Sequence, residues 1–215
     1  MHQSLKKQTN TKLLLVGAGG HAKVVIESLK SANQYSNIEI CDDNPEKEGQ
    51  YILGHKIIAS TRSFEEPFYF HVCIGNNHAR ENLTNRYLSA GGKLISIADN
   101  NSILAPSASI GDGVYIAAGA IVSAEAKIER GTIINHNAII EHDSRVAEYS
   151  HIAPGATVLG GAKVGKKVFA GAGSIVLPGV SVTDEVVLGA GAIAIRDINQ
   201  KGSTQIGVPA RNVQL

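Results

Sequence analysis

The chain has 215 residues, with 20 Lys and Arg against 19 Asp and Glu, so its formal net charge is +1. This balance excludes a strongly basic nucleic-acid-binding protein, and 43% hydrophobic with 18% charged residues excludes a disordered chain. There are 23 Gly, no Trp and only 4 Phe and 6 Tyr. A core with so few aromatic rings must be built from small aliphatic side chains, which favours a repeat architecture.

The N-terminal segment and the cysteines indicate the compartment. Residues 1–10 are polar and contain no long apolar run, so we expect a solvated, flexible tail rather than a secretion signal or a membrane span. Cys41 and Cys73 cannot form a disulfide framework and lack the spacing of a metal site. The sequence therefore predicts a cytoplasmic protein with no membrane partner and no required metal.

Residues 11–95 predict an α/β domain with a parallel sheet. A strand over Lys12–Val16 leads into Gly17-Ala18-Gly19-Gly20-His21, and a helical run covers residues 22–29. Glycines let the backbone approach a phosphate, and the helix N-terminus presents free N–H groups with a partial positive charge. The order of strand, glycine turn and helix predicts a nucleotide-binding domain, in which His21 caps the helix or meets a phosphate.

Two more predicted strands end in polar residues. The strand at 38–41 precedes Asp42 and Asp43, either of which would accept a hydrogen bond from a ribose or a uracil. The strand at 68–74 runs into Gly75-Asn76-Asn77, and a helix to about residue 89 follows. Only some 85 residues precede the second half of the chain, so a mononucleotide fits better than NAD and a Rossmann oxidoreductase is disfavoured.

The second half of the chain repeats every six residues. Of fifteen consecutive first positions, fourteen are Ile, Val or Leu, and every fifth position is Ala, Ser, Thr or Val. An amphipathic helix cannot keep this register, because six residues make about 1.7 helical turns. The repeat predicts an all-β parallel β-helix of five triangular coils over residues 96–195, with residues 196–215 as a C-terminal tail.

Three of the eight histidines lie close together within the repeat. His136, His142 and His151 avoid the core-facing first and fifth positions, so we expect them to point outward. An imidazole beside a carboxylate such as Asp143 suits a general base, because its ordinary pKa of about 6.5 lies near cellular pH. We expect His136 to be a surface or interface residue, and His151 to be either a ligand or interface contact or a catalytic group.

The combination of a Gly-Gly-His domain and an uninterrupted hexapeptide prism resembles a known family. It resembles the left-handed β-helix nucleotide-sugar N-acetyltransferases that acetylate UDP-4-amino-4,6-dideoxy sugars on the way to diacetylated bacillosamine, a bacterial glycan precursor. It is similar also to the sialic-acid O-acetyltransferases. The landmarks span nearly the whole chain: Gly17-Ala18-Gly19-Gly20-His21, Asp42-Asp43, Ile74-Gly75-Asn76-Asn77, Ile140-Glu141-His142-Asp143, Ser150-His151 and Gly207-Val208-Pro209-Ala210-Arg211.

The resemblance implies a homotrimer with acetyl-CoA between neighbouring prisms and a UDP-amino sugar on the N-terminal domain. It implies direct transfer with His142 as the base, supported by Asp143, where relatives commonly have Glu, and by Asn135. The expected acetyl-CoA contacts are His151, Gly155, Gly171 and Gly173. The backbone N–H groups of the three glycines are also candidate oxyanion donors. The expected nucleotide-sugar contacts are Gly17, Gly19, Gly20, His21, Asp42, Asp43 and Asn76.

Three other functions remain open from the sequence. An O-acetyltransferase acting on a sugar such as sialic acid needs the same donor and the same base. A hydratase like the γ-type carbonic anhydrases binds zinc through three histidines between subunits, which the nucleotide-binding domain argues against. A non-catalytic trimer would bind the nucleotide sugar and use the prism only for assembly.

Overall fold

The computed structural model describes residues 12–32, 35, 37–60 and 68–213, without the side chains of residues 31 and 32. The predicted tail over residues 1–10 lies outside the described residues. The described chain forms an α/β domain followed by a left-handed parallel β-helix, as the sequence predicts. In this described part, no helix is long and apolar enough to cross a membrane.

The α/β domain has the predicted order of strands and helices. Strand β1 (Lys12–Val16) is followed by helix α1 (Gly20–Ala32), and it pairs in parallel with β2 (Asn37–Asp42) and β5 (Tyr69–Val72). Helix α2 (Asn77–Ser89) follows β5. The remaining elements are a 3-10 turn (Pro45–Lys47), β3 (Tyr51–Ile52), β4 (His55–Ala59) and β6 (Lys93–Leu94), and the sheet order is β3-β4-β2-β1-β5-β6. The carboxyl ends of β1, β2 and β5 therefore meet at one edge, where the glycine turn lies.

The prism contains one two-residue strand per hexad. Fifteen strands correspond to the predicted hexads, and one more is added at each end. The strands are β7 (Ile97–Ala98), β8 (Ile103–Leu104), β9 (Ser109–Ile110), β10 (Tyr115–Ile116), β11 (Ile121–Val122), β12 (Lys127–Ile128), β13 (Ile133–Ile134), β14 (Ile139–Ile140), β15 (Arg145–Val146), β16 (His151–Ile152), β17 (Thr157–Val158), β18 (Lys163–Val164), β19 (Phe169–Ala170), β20 (Ile175–Val176), β21 (Ser181–Val182), β22 (Val187–Leu188) and β23 (Ile193–Ala194).

The register of the prism confirms the reading of the repeat. The second residue of each strand is the predicted first position, and residues such as Ile134 and Ile140 are fully buried there, as are fifth-position residues such as Ala138. The fourth position turns the corner: from residue 113 to residue 191 it always has a positive φ, at 55° in Asn137 and 60° in Asp143. Glycine holds many of these corners because it adopts this conformation without strain.

Three faces and two edges of the prism matter for the site. The domain face consists of β7, β10, β13, β16, β19 and β22, the isoleucine face of β8, β11, β14, β17, β20 and β23, and the basic face of β9, β12, β15, β18 and β21. The first edge joins the domain face to the isoleucine face and contains the corner at residues 135–138. The second edge joins the isoleucine face to the basic face and contains the corner at residues 141–144.

The C-terminal segment differs from the predicted tail. Strand β24 (Thr204–Ile206) pairs in parallel with β22, and β25 (Arg211–Val213) returns antiparallel to β24. The two strands extend the domain face, so they satisfy the backbone groups of β22 that would otherwise form an open sheet edge. The periodicity ends before this segment, which is why the repeat alone does not predict it.

The α/β domain packs on the domain face of the prism. The outward side chains Ile97, Tyr115 and Ile133 are buried there in one apolar cluster with residues of α1 such as Ala22 and Ile26. The hydroxyl groups of Ser28 and Tyr115 lie 2.8 Å apart inside this interface. These contacts hold α1, and with it the glycine turn, against the domain face of the prism.

Candidate active site

His142 and Asp143 form a hydrogen-bonded pair on the second edge. Nδ1 of His142 donates to Oδ2 of Asp143 at 2.8 Å, so Asp143 reaches the ring although it is shorter than Glu. The left-handed conformation of Asp143 brings its side chain back towards its neighbour. The hydrogen bond raises the pKa of the exposed His142 above its ordinary value. Its Nε2 atom is left as the proton acceptor.

The imidazole of His142 lies against Gly160 of the next coil. A Cβ built on Gly160 would lie 2.8 Å from both Cε1 and Nε2 of His142, so the missing side chain makes room for the ring. Within the described part of the chain, the N–H of Gly160 makes no hydrogen bond to a backbone or side-chain acceptor. A proton acceptor and a free N–H donor therefore occupy the same edge, and the sequence analysis did not single out Gly160.

Asn135, on the first edge, contacts His151 of β16, on the adjoining domain face. Nε2 of His151 accepts a hydrogen bond from Nδ2 of Asn135 at 3.0 Å, and Nδ1 donates to the carbonyl oxygen of Gly75 at 3.3 Å. Burial lowers the pKa of His151 to about 4, so the ring is neutral at cellular pH. Both ring nitrogens are occupied, which leaves His151 without the free lone pair that a general base needs.

One chain does not bring the two pairs together. The second edge, with His142 and Asp143, lies opposite the domain face in the triangular prism. Asn135 on the first edge and His151 on the domain face lie beside the α/β domain. The residues that the resemblance groups into one site are thus split between two separate sides of the prism.

The three glycines of the acetyl-CoA prediction, Gly155, Gly171 and Gly173, all lie along the first edge. Their N–H groups donate within the prism, from Gly155 to the His136 carbonyl (2.9 Å), from Gly171 to Leu188 (2.8 Å) and from Gly173 to Pro154 (3.0 Å). These N–H groups are therefore not free to act as oxyanion donors, contrary to the expectation. A Cβ at Gly171 would meet the Leu188 carbonyl at 2.5 Å, whereas Gly155 and Gly173 face open space where a ligand can approach.

The glycines of the turn differ in their surroundings: Gly17 is closely packed, whereas Gly19 and Gly20 have free space around them. Gly17 has φ of +104°, and a Cβ there would lie 2.5 Å from Cδ1 of Ile74. Gly19 and Gly20 have no atom within 4 Å of a built Cβ. Gly17 shapes the turn, and Gly19 and Gly20 present the exposed backbone at the start of α1.

Asp42 and Asp43, at the end of β2, have different roles. Asp42 accepts hydrogen bonds from the N–H of Ala18 (2.7 Å), the N–H of Asn44 (2.9 Å) and Nζ of Lys47 (2.9 Å). Partial burial opposes its ionisation, but these bonds outweigh it and lower the pKa of Asp42. Asp42 thus fastens the glycine turn, whereas the half-exposed Asp43 pairs with Arg86 at 3.0 Å and faces solvent.

His21 and Asn76 stand at the starts of the two helices. Nε2 of His21 is buried and has no hydrogen-bond partner in the described structure, while its ring packs edge-on against Tyr115. Burial lowers the pKa of His21 to about 3. Asn76 caps α2 by accepting from the N–H of Ala79 at 2.9 Å. It lines, together with Gly75 and His151, a cleft of about 450 Å³ between the domain and the prism.

Arg80 is a site-supporting residue that the sequence analysis missed. It is 1% exposed, and its guanidinium donates to six acceptors: the carbonyls of Ile74, Gly75, Gly131, Tyr149 and Ser150, and Oδ1 of Asn77. Burial lowers its pKa to about 9, which leaves it charged at neutral pH. Arg80 therefore joins the loop before α2 to the prism corners behind His151.

Among the described residues, no three His, Cys, Asp or Glu side chains converge in a geometry that could hold a metal ion. The histidines of the repeat are occupied instead with Asp143, Asn135 and the Gly75 carbonyl.

Comparisons with protein families match both parts of the chain. Residues 12–87 match the PglD N-terminal domain, and residues 125–160 match the bacterial transferase hexapeptide (six repeats). A search of curated proteins found no match.

Solved structures match nearly the full length. The acetyltransferase domain of PglB from Neisseria gonorrhoeae FA1090 is 33% identical, with 95% of this chain and 100% of that chain covered and a TM-score of 0.89. PerB from Caulobacter crescentus, solved with CoA and GDP-perosamine, is 31% identical over 94% of this chain and 97% of that chain, with a TM-score of 0.88. WeeI from Acinetobacter baumannii AYE shares the fold at 19% identity, over 95% of this chain and 100% of that chain, with a TM-score of 0.73.

Proposed function

The chain belongs to the hexapeptide-repeat nucleotide-sugar N-acetyltransferases, which use acetyl-CoA, and we propose that its acceptor is the amino group of a UDP-4-amino-4,6-dideoxy sugar. The observation that carries acetyl transfer to an amine is the His142–Asp143 pair, whose free Nε2 lies on an exposed edge beside an unbonded N–H. The choice of the UDP sugar rests on the sequence resemblance. We place the reaction in the cytoplasm, where the free, buried Cys41 and Cys73 stay reduced.

The isoleucine face supports a homotrimer. Its outward residues are β-branched and partly or fully exposed in the single chain, whereas those of the basic face are polar or charged. The two rows are Ile103, Ile121, Ile139, Thr157, Ile175 and Ile193 on the isoleucine face, and Ser109, Lys127, Arg145, Lys163 and Ser181 on the basic face. An apolar stripe of this length calls for a partner surface, and three copies around a threefold axis cover it completely.

Such a trimer assembles the divided site. With the isoleucine faces turned to an axis parallel to the prisms, the first edge of each subunit lies beside the second edge of the next. Asn135 and His142 belong to the same coil, so the two edges meet at the same height. A sugar held by the α/β domain of one subunit then faces the His142 of its neighbour, and acetyl-CoA lies along the open glycines Gly155 and Gly173.

The chemistry at this junction is direct acetyl transfer. The sugar amine attacks the thioester carbonyl carbon, and a C–N bond forms while Nε2 of His142 takes the proton from the nitrogen. The N–H of Gly160 donates to the developing oxyanion. As the tetrahedral intermediate collapses, the C–S bond breaks and the CoA sulfur receives the proton from the imidazolium, which Asp143 has stabilised meanwhile.

An acceptor panel tests the proposal. Purified protein is mixed with acetyl-CoA and with UDP-, GDP- or dTDP-linked amino sugars or sialic acid, and thiol release and product mass are measured. We expect thiol release that requires a free sugar amine, with the UDP-4-amino-4,6-dideoxy sugar the most efficient. Acetylation of sialic acid alone would instead support the O-acetyltransferase. Binding of the nucleotide sugar without binding of acetyl-CoA would support the non-catalytic trimer.

A further inference from the structure

The hydrogen bonds around Asn135 determine the protonation of two histidines. The backbone N–H of His136 can only donate, and it lies 2.9 Å from the side-chain oxygen of Asn135, which fixes the orientation of this amide. The amide nitrogen must then donate to Nε2 of His151. His151 is thereby held as the tautomer with a proton on Nδ1, facing the Gly75 carbonyl.

His136 has the same tautomer as His151, but its Nε2 is not engaged by any described residue. Its Nδ1 lies 3.0 Å from the same oxygen of Asn135, which can only accept, so Nδ1 carries the proton. Nε2 is then a lone-pair acceptor, and it makes no hydrogen bond within the described part of the chain. His136 is thus the histidine of the first edge with a nitrogen available to a ligand, whereas the sequence analysis expected only a surface or interface residue.

The side chain of His136 lines a cavity of about 580 Å³ between α1 and the first edge. Glu27 of α1 and Asp99 of the first prism coil also line it, and so does Lys23 of α1. A cavity lined by two carboxylates and by an imidazole nitrogen that has no partner among the described residues favours ligand groups that donate hydrogen bonds. Phosphodiester oxygens carry no hydrogen at neutral pH and can only accept, so of these four side chains only Lys23 suits them. Sugar hydroxyls can donate to Nε2 and to the carboxylates and can also accept from Lys23.

We propose that His136 is a specificity residue whose Nε2 accepts a hydrogen bond from a hydroxyl of the acceptor sugar. The inference rests on the proposed function, because the trimer would place His136 level with His142 of the neighbouring subunit. The role differs from that of the base: Nδ1 of His136 donates to a neutral amide, which does not stabilise an imidazolium as Asp143 does for His142.

The orientation of His136 is set by a continuous chain of contacts. Arg80 donates to the Gly75 carbonyl at 3.0 Å, and the same carbonyl accepts from His151. His151 in turn accepts from Asn135, whose oxygen holds His136. The loop that precedes α2 is thereby connected through hydrogen bonds to His136.

Steady-state kinetics of His136→Ala test the inference, with the UDP-4-amino-4,6-dideoxy sugar as acceptor and UDP alone as a binding probe. We expect the KM for the sugar nucleotide to rise roughly 10- to 100-fold, as for loss of one well-placed hydrogen bond. The KM for acetyl-CoA and the Kd for UDP should stay within about twofold of the wild type, since neither contact involves Nε2. His136→Gln, which keeps an acceptor oxygen, should recover part of the loss.

Glu148→Ala is the matched control, because Glu148 occupies the same hexad position on the remaining edge of the same coil, and among the described residues its carboxylate pairs only with Lys166 at the surface. A wild-type KM in His136→Ala would overturn the inference, as would an equal weakening of UDP binding, which would indicate a distorted loop. A fall in kcat alone would overturn it too, because His136 would then act in the chemical step. Failure of the wild type to acetylate any amino sugar would overturn the proposed function itself, so the two failures are distinguishable.

Discussion

Nδ1 of His142 donates to Oδ2 of Asp143 across 2.8 Å, although the two residues are adjacent in the chain and both are exposed. Neighbouring side chains on an extended strand point to opposite faces and would not meet. The contact exists because Asp143 holds the left-handed corner position of its hexad, with φ of 60°. The geometry of the corner therefore fixes the orientation of the His142 imidazole on an exposed edge of the prism.

Removing the charge of Asp143 should shift the pH dependence of the reaction. The pKa of His142 is raised chiefly by the hydrogen bond to Asp143, so Asp143→Asn should lower it towards its ordinary value. The acidic limb of kcat/KM, which follows deprotonation of the base, should then move to lower pH, while the plateau falls about tenfold. Glu141→Gln is the control: Glu141 acts only through space, so its shift should be smaller. An unchanged acidic limb in Asp143→Asn would show that the rate does not depend on the protonation state of His142.

A methyl group at Gly160 should displace the base without unfolding the prism. Gly160 does not have a left-handed φ, so alanine fits its backbone, but the Cβ would lie 2.8 Å from the His142 ring. We expect Gly160→Ala to lower kcat at least about tenfold with an unchanged Tm. The double variant with His142→Ala isolates the cause, because Gly160→Ala should add little once the ring is gone. A full additional loss in the double variant would mean that Gly160 acts independently of His142.

The two halves of the glycine turn should respond differently to alanine. Gly19→Ala should fold normally, since its Cβ meets nothing, and should raise the KM for the nucleotide sugar more than that for acetyl-CoA. Gly17→Ala should lower the Tm, because it combines a φ of +104° with a contact of 2.5 Å to Ile74. Thermal unfolding and kinetics with both substrates separate these outcomes. Equal increases of both KM values in Gly19→Ala would mean that the turn only packs.

A charge on the isoleucine face should prevent assembly. Ile139→Lys places an ammonium group in the centre of the apolar row, where the trimer would bury it, so light scattering should show a mass below three times the chain mass of 22.6 kDa. Ser109→Lys adds the same charge to the basic face and should leave the trimer intact. A wild-type protein that scatters as a single chain would contradict the shared site.

The prism can be predicted from the sequence because each hexad places its first and fifth residues in the same buried environment. Ile134 and Ala138 are core residues for the same reason as their counterparts in every other coil, so a register of six is sufficient to find them. The α/β domain is also predictable, since β1, the glycine turn and α1 are contiguous in the chain.

Contacts between the two parts of the chain are not predictable in this way. His136 and His151 both point outward from the prism, yet only His151 is covered by the loop at Gly75. The buried stripe of α2 is polar, with Asn77, Arg80, Thr84 and Tyr87 at helical spacing, so a search for apolar faces overlooks it. This spacing is the signal that could have identified Arg80.

The kcat of His142→Ala under saturating acetyl-CoA and amino-sugar nucleotide tests the central claim most directly. We predict a loss of roughly 10²- to 10⁴-fold, with both KM values nearly unchanged, because a general base acts in the transition state. The residual rate should rise with pH, as more of the sugar amine loses its proton without help. A His142→Ala variant that keeps the wild-type kcat, with thiol release still dependent on the amine, would contradict the assignment of the base.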